Sequence, residues 1–129
     1  MRFYTSIFKD SKIESLSEMS ATFYLNGQKF MALNGGPQFR FTEAVSFFVD
    51  CRTQDEVDEL RERLSAGGEL GRCGWLKDKI GVSRQIIPAV LGDMLQDEDE
   101  DKSGRVMQAM LQMSKIDIAG LKRAYEGGA

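Results

Sequence analysis

Cys73, Trp75 and Lys77 stand at every second position of one short run, a spacing that puts their side chains on one face of a strand. A thiol beside an ammonium group is the pairing that lowers a cysteine pKa and makes a nucleophile. The other reading of Cys73 is a small buried hydrophobe. Lys77, Lys79 and Arg84 add a modest basic cluster, either solvated surface or a contact for an anionic ligand. Histidine is absent from all 129 residues, which removes Ser-His and Cys-His pairs and any metal site built on this chain's imidazoles. Carboxylates, two thiols, tyrosines and lysines remain as titrating groups. Cys51 and Cys73 are too few for a disulfide framework, and reduced thiols point to a cytoplasmic protein. Gly35-Gly36-Pro37 follows a strand pattern but does not read G-x-G and opens no clear helix. It reads as a turn, not a nucleotide cradle.

Composition narrows the field further. A chain of 129 residues is long enough to bury a core, and 42% hydrophobic with 29% charged residues is ordinary for a globular protein. No apolar run is long enough to cross a bilayer, and the N-terminus lacks a signal-peptide pattern, so no membrane partner is expected. A net charge of −3 offers no general attraction to nucleic acid.

The elements that must position these side chains follow from periodicity. Phe3, Tyr4, Ile7 and Phe8 recur at helical spacing, and residues 12–17 read as a short strand. Residues 21–25 and 28–33 flank Asn26-Gly27, a strong hairpin signal because both central residues must take positive φ. Residues 42–50 read as a strand. Thr53 and Glu56 then form a capping box for a helix with Val57, Leu60 and Leu64 along one face, stopped by Gly67-Gly68. Residues 74–77 and 82–87 form a hairpin around Asp78-Lys79-Ile80-Gly81, ended by Pro88. The stretch 41–88 is thus one βαβ-type module, and Phe3–Leu33 suggests a second copy.

Beyond it, residues 89–96 read as helical and Asp97-Glu98-Asp99-Glu100-Asp101 as a solvated loop, since dense like charges repel. Ser103 is the expected cap of a helix carrying Val106, Met107, Met110, Met113 and Ile116, with a last short helix near 117–126. The methionines read either as core filler or as a partner surface.

The segments FYTSIFKDSKI (3–13), FMALNGGPQFRFTEAVSFFVDC (30–51), CGWLKDKIGVSRQIIP (73–88) and VMQAMLQMSKIDIAGLKRAY (106–125) resemble the PhnB-like branch of the vicinal-oxygen-chelate superfamily. That superfamily also holds glyoxalase I and bleomycin-resistance proteins. The resemblance implies an α+β fold in which paired βαβββ modules form a cupped mixed sheet, completed as a homodimer. Residues 1–88 would be the vicinal-oxygen-chelate-like domain and 89–129 a C-terminal helical extension of it. Three departures stand out. Relatives begin with a strand and half a helix ahead of the segment matching Met1; the open edge this leaves in the first module points either to residues preceding Met1 in the full protein, the favoured reading, or to a dimer partner that covers it. A glycine-rich loop is missing between Met19 and Ala21, and Arg84 stands where relatives tend to carry Trp. Such proteins are often labelled as methyltransferases acting on a demethylated ubiquinone.

Metal-dependent relatives hold a divalent ion with four His or Glu side chains on the concave face. The resemblance places those positions at Ala32, Ala44 and Gln85, with the fourth in the missing first strand, so it implies no metal and no cofactor. Those positions also mark the concave face, which by alternation should carry Ala21, Phe23, Phe30, Ala32, Asn34, Ala44, Ser46, Phe48, Ser83, Gln85 and Ile87. Met31, Leu33, Val45, Phe47, Val49, Val82 and Ile86 should pack against helices. Phe23, Phe30, Asn34, Ser46, Phe48, Ser83 and Gln85, with Cys73 and Trp75, are the expected ligand-binding residues. No catalytic residue is assigned. The expected function is metal-free binding of a small molecule by a homodimer. Two other readings remain open: an enzyme using groups outside this chain, and an interaction module using the methionine-bearing helix.

Overall fold

The computed structural model describes residues 1–127 and divides into two compact units, Met1–Arg40 and the residues from Phe41 onward. The first unit comprises α1 (Arg2–Ile7), β1 (Lys12–Leu16), β2 (Ser20–Leu25) and β3 (Gln28–Leu33), with the strands antiparallel in the order β1-β2-β3. Asn26 and Gly27 take φ of 51° and 79°, the two left-handed residues of a two-residue hairpin turn. That turn fixes the register, pairing Phe23 with Phe30 and Ala21 with Ala32, so these four share a face.

The first sheet buries the face opposite to the one expected. Ala21, Phe23 and Leu25 are in the core with Tyr4, Ile7 and Phe8, while Met31 and Leu33 are 77% and 75% exposed. The reason is α1, which packs on β1 and β2. Alternation tells which residues share a face, but only the packed helix decides which face is dry.

The second unit runs β4 (Phe47–Cys51), α2 (Gln54–Ser65), β5 (Glu69–Leu70), β6 (Trp75–Lys77) and β7 (Ser83–Pro88), a βαβββ order. The first unit supplies the matching αβββ. Sheet order is β4-β7-β6-β5, with β4 parallel to β7 and the other pairs antiparallel. This is the α+β class that the resemblance implied. Strand β4 is shorter than the expected 42–50 because Thr42 holds the chain in a turn: its Oγ1 accepts from the Ala44 N–H at 2.9 Å. Short hydroxyl side chains compete with strand pairing in this way. The two-residue β5 gave no sequence signal.

Helix α2 begins as the capping box predicts, with the Glu56 N–H donating to Thr53 Oγ1 at 3.1 Å. The Glu56 carboxylate reaches one residue further back than expected, accepting from the Arg52 N–H at 3.3 Å. The helix packs across β4, β6 and β7. Val57 and Leu64 are buried, as are Val49, Cys51, Leu76 and Ile86 on the sheet. Each large aliphatic side chain buried this way contributes about 1.5–3 kcal/mol. Arg61 is also buried. Its guanidinium donates to the Gly71 carbonyl at 2.9 Å, the Trp75 carbonyl at 3.3 Å and Ser114 Oγ at 2.7 Å, tying α2 to the β5–β6 turn.

Three helices follow: α3 (Ala89–Leu95), α4 (Glu100–Leu111) and α5 (Ile118–Tyr125). Ile87 of β7 joins Leu91, Met94, Val106, Ile116 and Leu121 in one cluster, against which Met110 and Met113 are partly buried. Met110 and Met113 are thus core filler and Met107 is 39% exposed, but α4 ends at Leu111, so Met113 and Ile116 lie past the helix that was expected to carry them. The last two positions of the expected 89–129 extension lie outside the described residues.

Residues 97–99 of the acidic run lie ahead of the helix, as expected of a loop, but Glu100 and Asp101 already begin α4. Asp99 is the cap of α4, its carboxylate accepting from the Asp101 and Lys102 N–H groups at 3.0 and 3.3 Å, and Ser103 lies inside the helix. Carboxylates repel one another, but in a first turn each also meets the positive end of the helix, which offsets that repulsion.

Candidate ligand-binding cleft

One face of the second sheet is covered by α2. On the other, Ile87 is covered by the C-terminal helices while Phe48, Trp75 and Gln85 are left partly open. Strand pairing puts the last three side by side, since Gln85 is the register partner of both Phe48 and Trp75. The edge of the helical cluster then walls off a cleft of about 370 Å³, lined by these three with Asp50, Cys73 and Ile87 from the sheet side and Leu91, Leu95 and Met110 among the helical residues. Of the expected ligand-binding residues, Phe48, Cys73, Trp75 and Gln85 therefore meet in one place. Ser46 is tied to them by a hydrogen bond that Gln85 Nε2 donates to its Oγ at 3.0 Å.

Ser83 lies one register step along the same face, paired with Lys77. It lines a second cleft of about 270 Å³ with Glu43, Glu69, Trp75 and Lys77. Its Oγ is buried and has no hydrogen-bond partner among the described residues.

The other three expected residues belong to the first unit. Phe23 is in its core and stacks on Phe30 with ring centroids 5.7 Å apart. Asn34 is exposed and donates from Nδ2 to the Glu18 carbonyl at 3.4 Å.

The Cys73–Lys77 pairing that the spacing allowed is not formed. Cys73 precedes β6 in a left-handed turn at φ 55°, and its thiol faces the Met110 carbonyl at 3.6 Å. The Lys77 ammonium is engaged by the Glu43 carboxylate, which raises the lysine pKa and lowers that of the glutamate. Arg84 is no surface cation either. It is buried, with Nε 3.3 Å from Asp78 Oδ2 and its guanidinium over the Phe47 ring. Spacing could not reveal this, because the partner lies across the hairpin and only the folded turn brings it close. A similar blindness hid Asp50, Leu91, Leu95 and Met110 as cleft residues.

The two thiols differ sharply in environment. Burial, reinforced by the charges of Glu56 and Asp50, pushes the Cys51 thiol up to about 12. Iodoacetamide at neutral pH is expected to modify the half-buried Cys73 and to leave Cys51 untouched until the protein is unfolded, because only a thiolate attacks. Peptide mapping after a timed reaction reads the result; early labelling of Cys51 would contradict the packing described above.

The residues at the positions that the resemblance gives to metal ligands do not fit an ion. Ala32 and Ala44 have no donor atom, and the neutral Gln85 amide is bonded to Ser46. Among the described residues no three His, Cys, Asp or Glu side chains converge. Gly35-Gly36-Pro37 leads into a turn and not a helix, so it presents no helix N-terminus to a phosphate. No helix among the described residues is long and apolar enough to cross a membrane.

Comparison with known proteins gives the lineage. The family model described as 3-demethylubiquinone-9 3-methyltransferase matches residues 1–87. A solved structure, the PhnB protein from Bacillus cereus named for 3-demethylubiquinone-9 3-methyltransferase, matches with a TM-score of 0.64 and 37% sequence identity, over 69% of this chain and 88% of that one. No protein of curated function matches. With the model match covering well over half of its length, this chain belongs to the PhnB-type family described as 3-demethylubiquinone-9 3-methyltransferase.

Proposed function

We propose that this protein is a metal-free, small-molecule-binding member of its family that works as a homodimer. The observation that carries the reading is the cleft on the second unit. Its volume of about 370 Å³ falls within the range of roughly 300–1,000 Å³ usual for small-ligand sites. Its walls combine two aromatic rings, Phe48 and Trp75, with aliphatic side chains and one ordered amide, Gln85. That mixture suits a compact, partly apolar ligand held by one or two directional hydrogen bonds. No nucleophile–base pair and no paired carboxylates line it, so binding is better supported than the methyl transfer for which the family is named.

The dimer reading rests on exposed apolar surface. Strand β4 is the edge of its sheet, and Phe41, Val45, Phe47 and Phe48 on and before it are 65%, 71%, 41% and 61% exposed. Large apolar side chains clustered along an open edge mark an interaction surface.

Native mass spectrometry of the untagged protein, made from the longest open reading frame and never exposed to chelator, is the direct test. A dimer carrying a reproducible organic mass and no metal is the expected spectrum. One equivalent of a divalent metal per chain would overturn the reading in favour of an enzyme with ligands from outside this chain. A monomer would remove the dimer.

A further inference from the structure

Resting on that reading of the cleft, we infer that its ligand is an organic cation, an amine or quaternary ammonium carried on an apolar body. Of the residues lining the cleft, Asp50 alone carries a formal charge. No ion pair holds its carboxylate among the described residues; the salt bridges there engage Asp58 and Asp78 but not Asp50. Asp50 stands two residues from Phe48 on β4, so both side chains point to the same face, and its register partner Ile87 forms the cleft floor beside Gln85. A full negative charge thus sits at the rim of a space walled by the faces or edges of Phe48 and Trp75. Aromatic rings attract cations through their quadrupole, and a carboxylate adds direct attraction at the same mouth. An anionic ligand would meet the carboxylate with no cationic side chain in the lining to offset it.

The opposing influence is the start of α3, whose Ala89 and Gly92 line the same cleft. A whole helix presents only about half a positive charge at its N-terminus, and α3 has 7 residues, so the full carboxylate charge prevails.

Three probes with the same ring and spacer read the sign of the site: phenethylammonium, 2-phenylethanol and phenylacetate. Trp75 is the chain's single tryptophan and lines the cleft, so its emission reports occupancy, with calorimetry alongside. Phenethylammonium should bind about tenfold more tightly than 2-phenylethanol, and phenylacetate more weakly than either. Asp50→Asn, at an exposed position, should bring the ammonium-to-alcohol ratio to about one. Equal binding of all three probes, or an unchanged ratio in the variant, would overturn the charge inference while leaving the cleft as a binding site. No response to any probe by either method would overturn both.

Discussion

Replacing Gly74 with alanine is expected to destabilise the second unit by roughly 2–5 kcal/mol, enough to unfold a marginal domain. Gly74 takes φ of 83°, and left-handed backbone costs a residue with a Cβ about 1–2 kcal/mol. Space is the second problem. A Cβ there would lie 2.8 Å from Ile87 Cδ1, 2.9 Å from the Ile86 carbonyl oxygen and 3.1 Å from Ile116 Cγ1. The isoleucine termini can shift, at about 1–3 kcal/mol for overpacking a filled core. The carbonyl cannot move freely, because the Ile86 N–H donates to the Gly74 carbonyl at 2.8 Å and fixes the two strands together. Gly74 also donates its N–H to the Ser114 carbonyl, so the damage should spread to the connection between α4 and α5. Urea denaturation measures the loss. Gly92→Ala, on α3 where a Cβ meets nothing within 4 Å, is the control and should be neutral or slightly stabilising. A Gly74→Ala protein as stable as the parent would mean that this turn is not built as described.

Arg84→Met is the second large effect, at about 3–5 kcal/mol, because it strands a buried carboxylate. The Asp78 side chain is 0% exposed and that of Arg84 is 6% exposed. Asp78 Oδ1 accepts from the Ile80 and Val82 N–H groups at 2.9 and 3.1 Å, shaping the turn, while Oδ2 faces the guanidinium. Losing the arginine leaves the turn bonds but removes the charge that makes a buried carboxylate tolerable. Asp78→Asn retains an acceptor for the turn and strands Arg84 instead. The double variant Asp78→Asn/Arg84→Met leaves no buried charge at the pair, and its loss should fall short of the sum of the singles by at least about 1 kcal/mol. Additive losses in a denaturation cycle would show that the two groups do not depend on each other.

Local rules read this chain well wherever the controlling interaction is local. Asn26-Gly27 dictated a hairpin and its register because the turn demands two left-handed residues. Thr53 and Glu56 marked the start of α2 because a cap is a contact between near neighbours in the chain. The order of the longer elements from residue 41 to residue 88 followed, while Phe48 and Gln85 were put on one face by the family resemblance and Trp75 joined them only through strand pairing. The same rules failed where two local effects competed, as at Thr42, whose hydroxyl holds a turn where β-rich residues suggested strand. They failed again at Glu100 and Asp101, where the first turn of a helix accommodates like charges that suggested loop.

What only the tertiary structure decided is which faces are covered and which charges are paired. Met31 and Leu33 are as apolar as Val49 and Ile86, yet the first two are exposed and the second two buried, because α1 packs on the other face of the first sheet while α2 packs on the face of Val49 and Ile86 in the second. Arg84 reads as a surface cation until the hairpin brings Asp78 to it. Asp50 reads as one more acidic residue until α3 and α4 close a cleft around it. The sequence by itself determined the order of the longer elements and which neighbouring residues alternate along a strand, since these depend on backbone geometry over a few positions. The cleft, the buried pair and the dry faces depend on contacts between residues far apart in the chain, and only packing sets those.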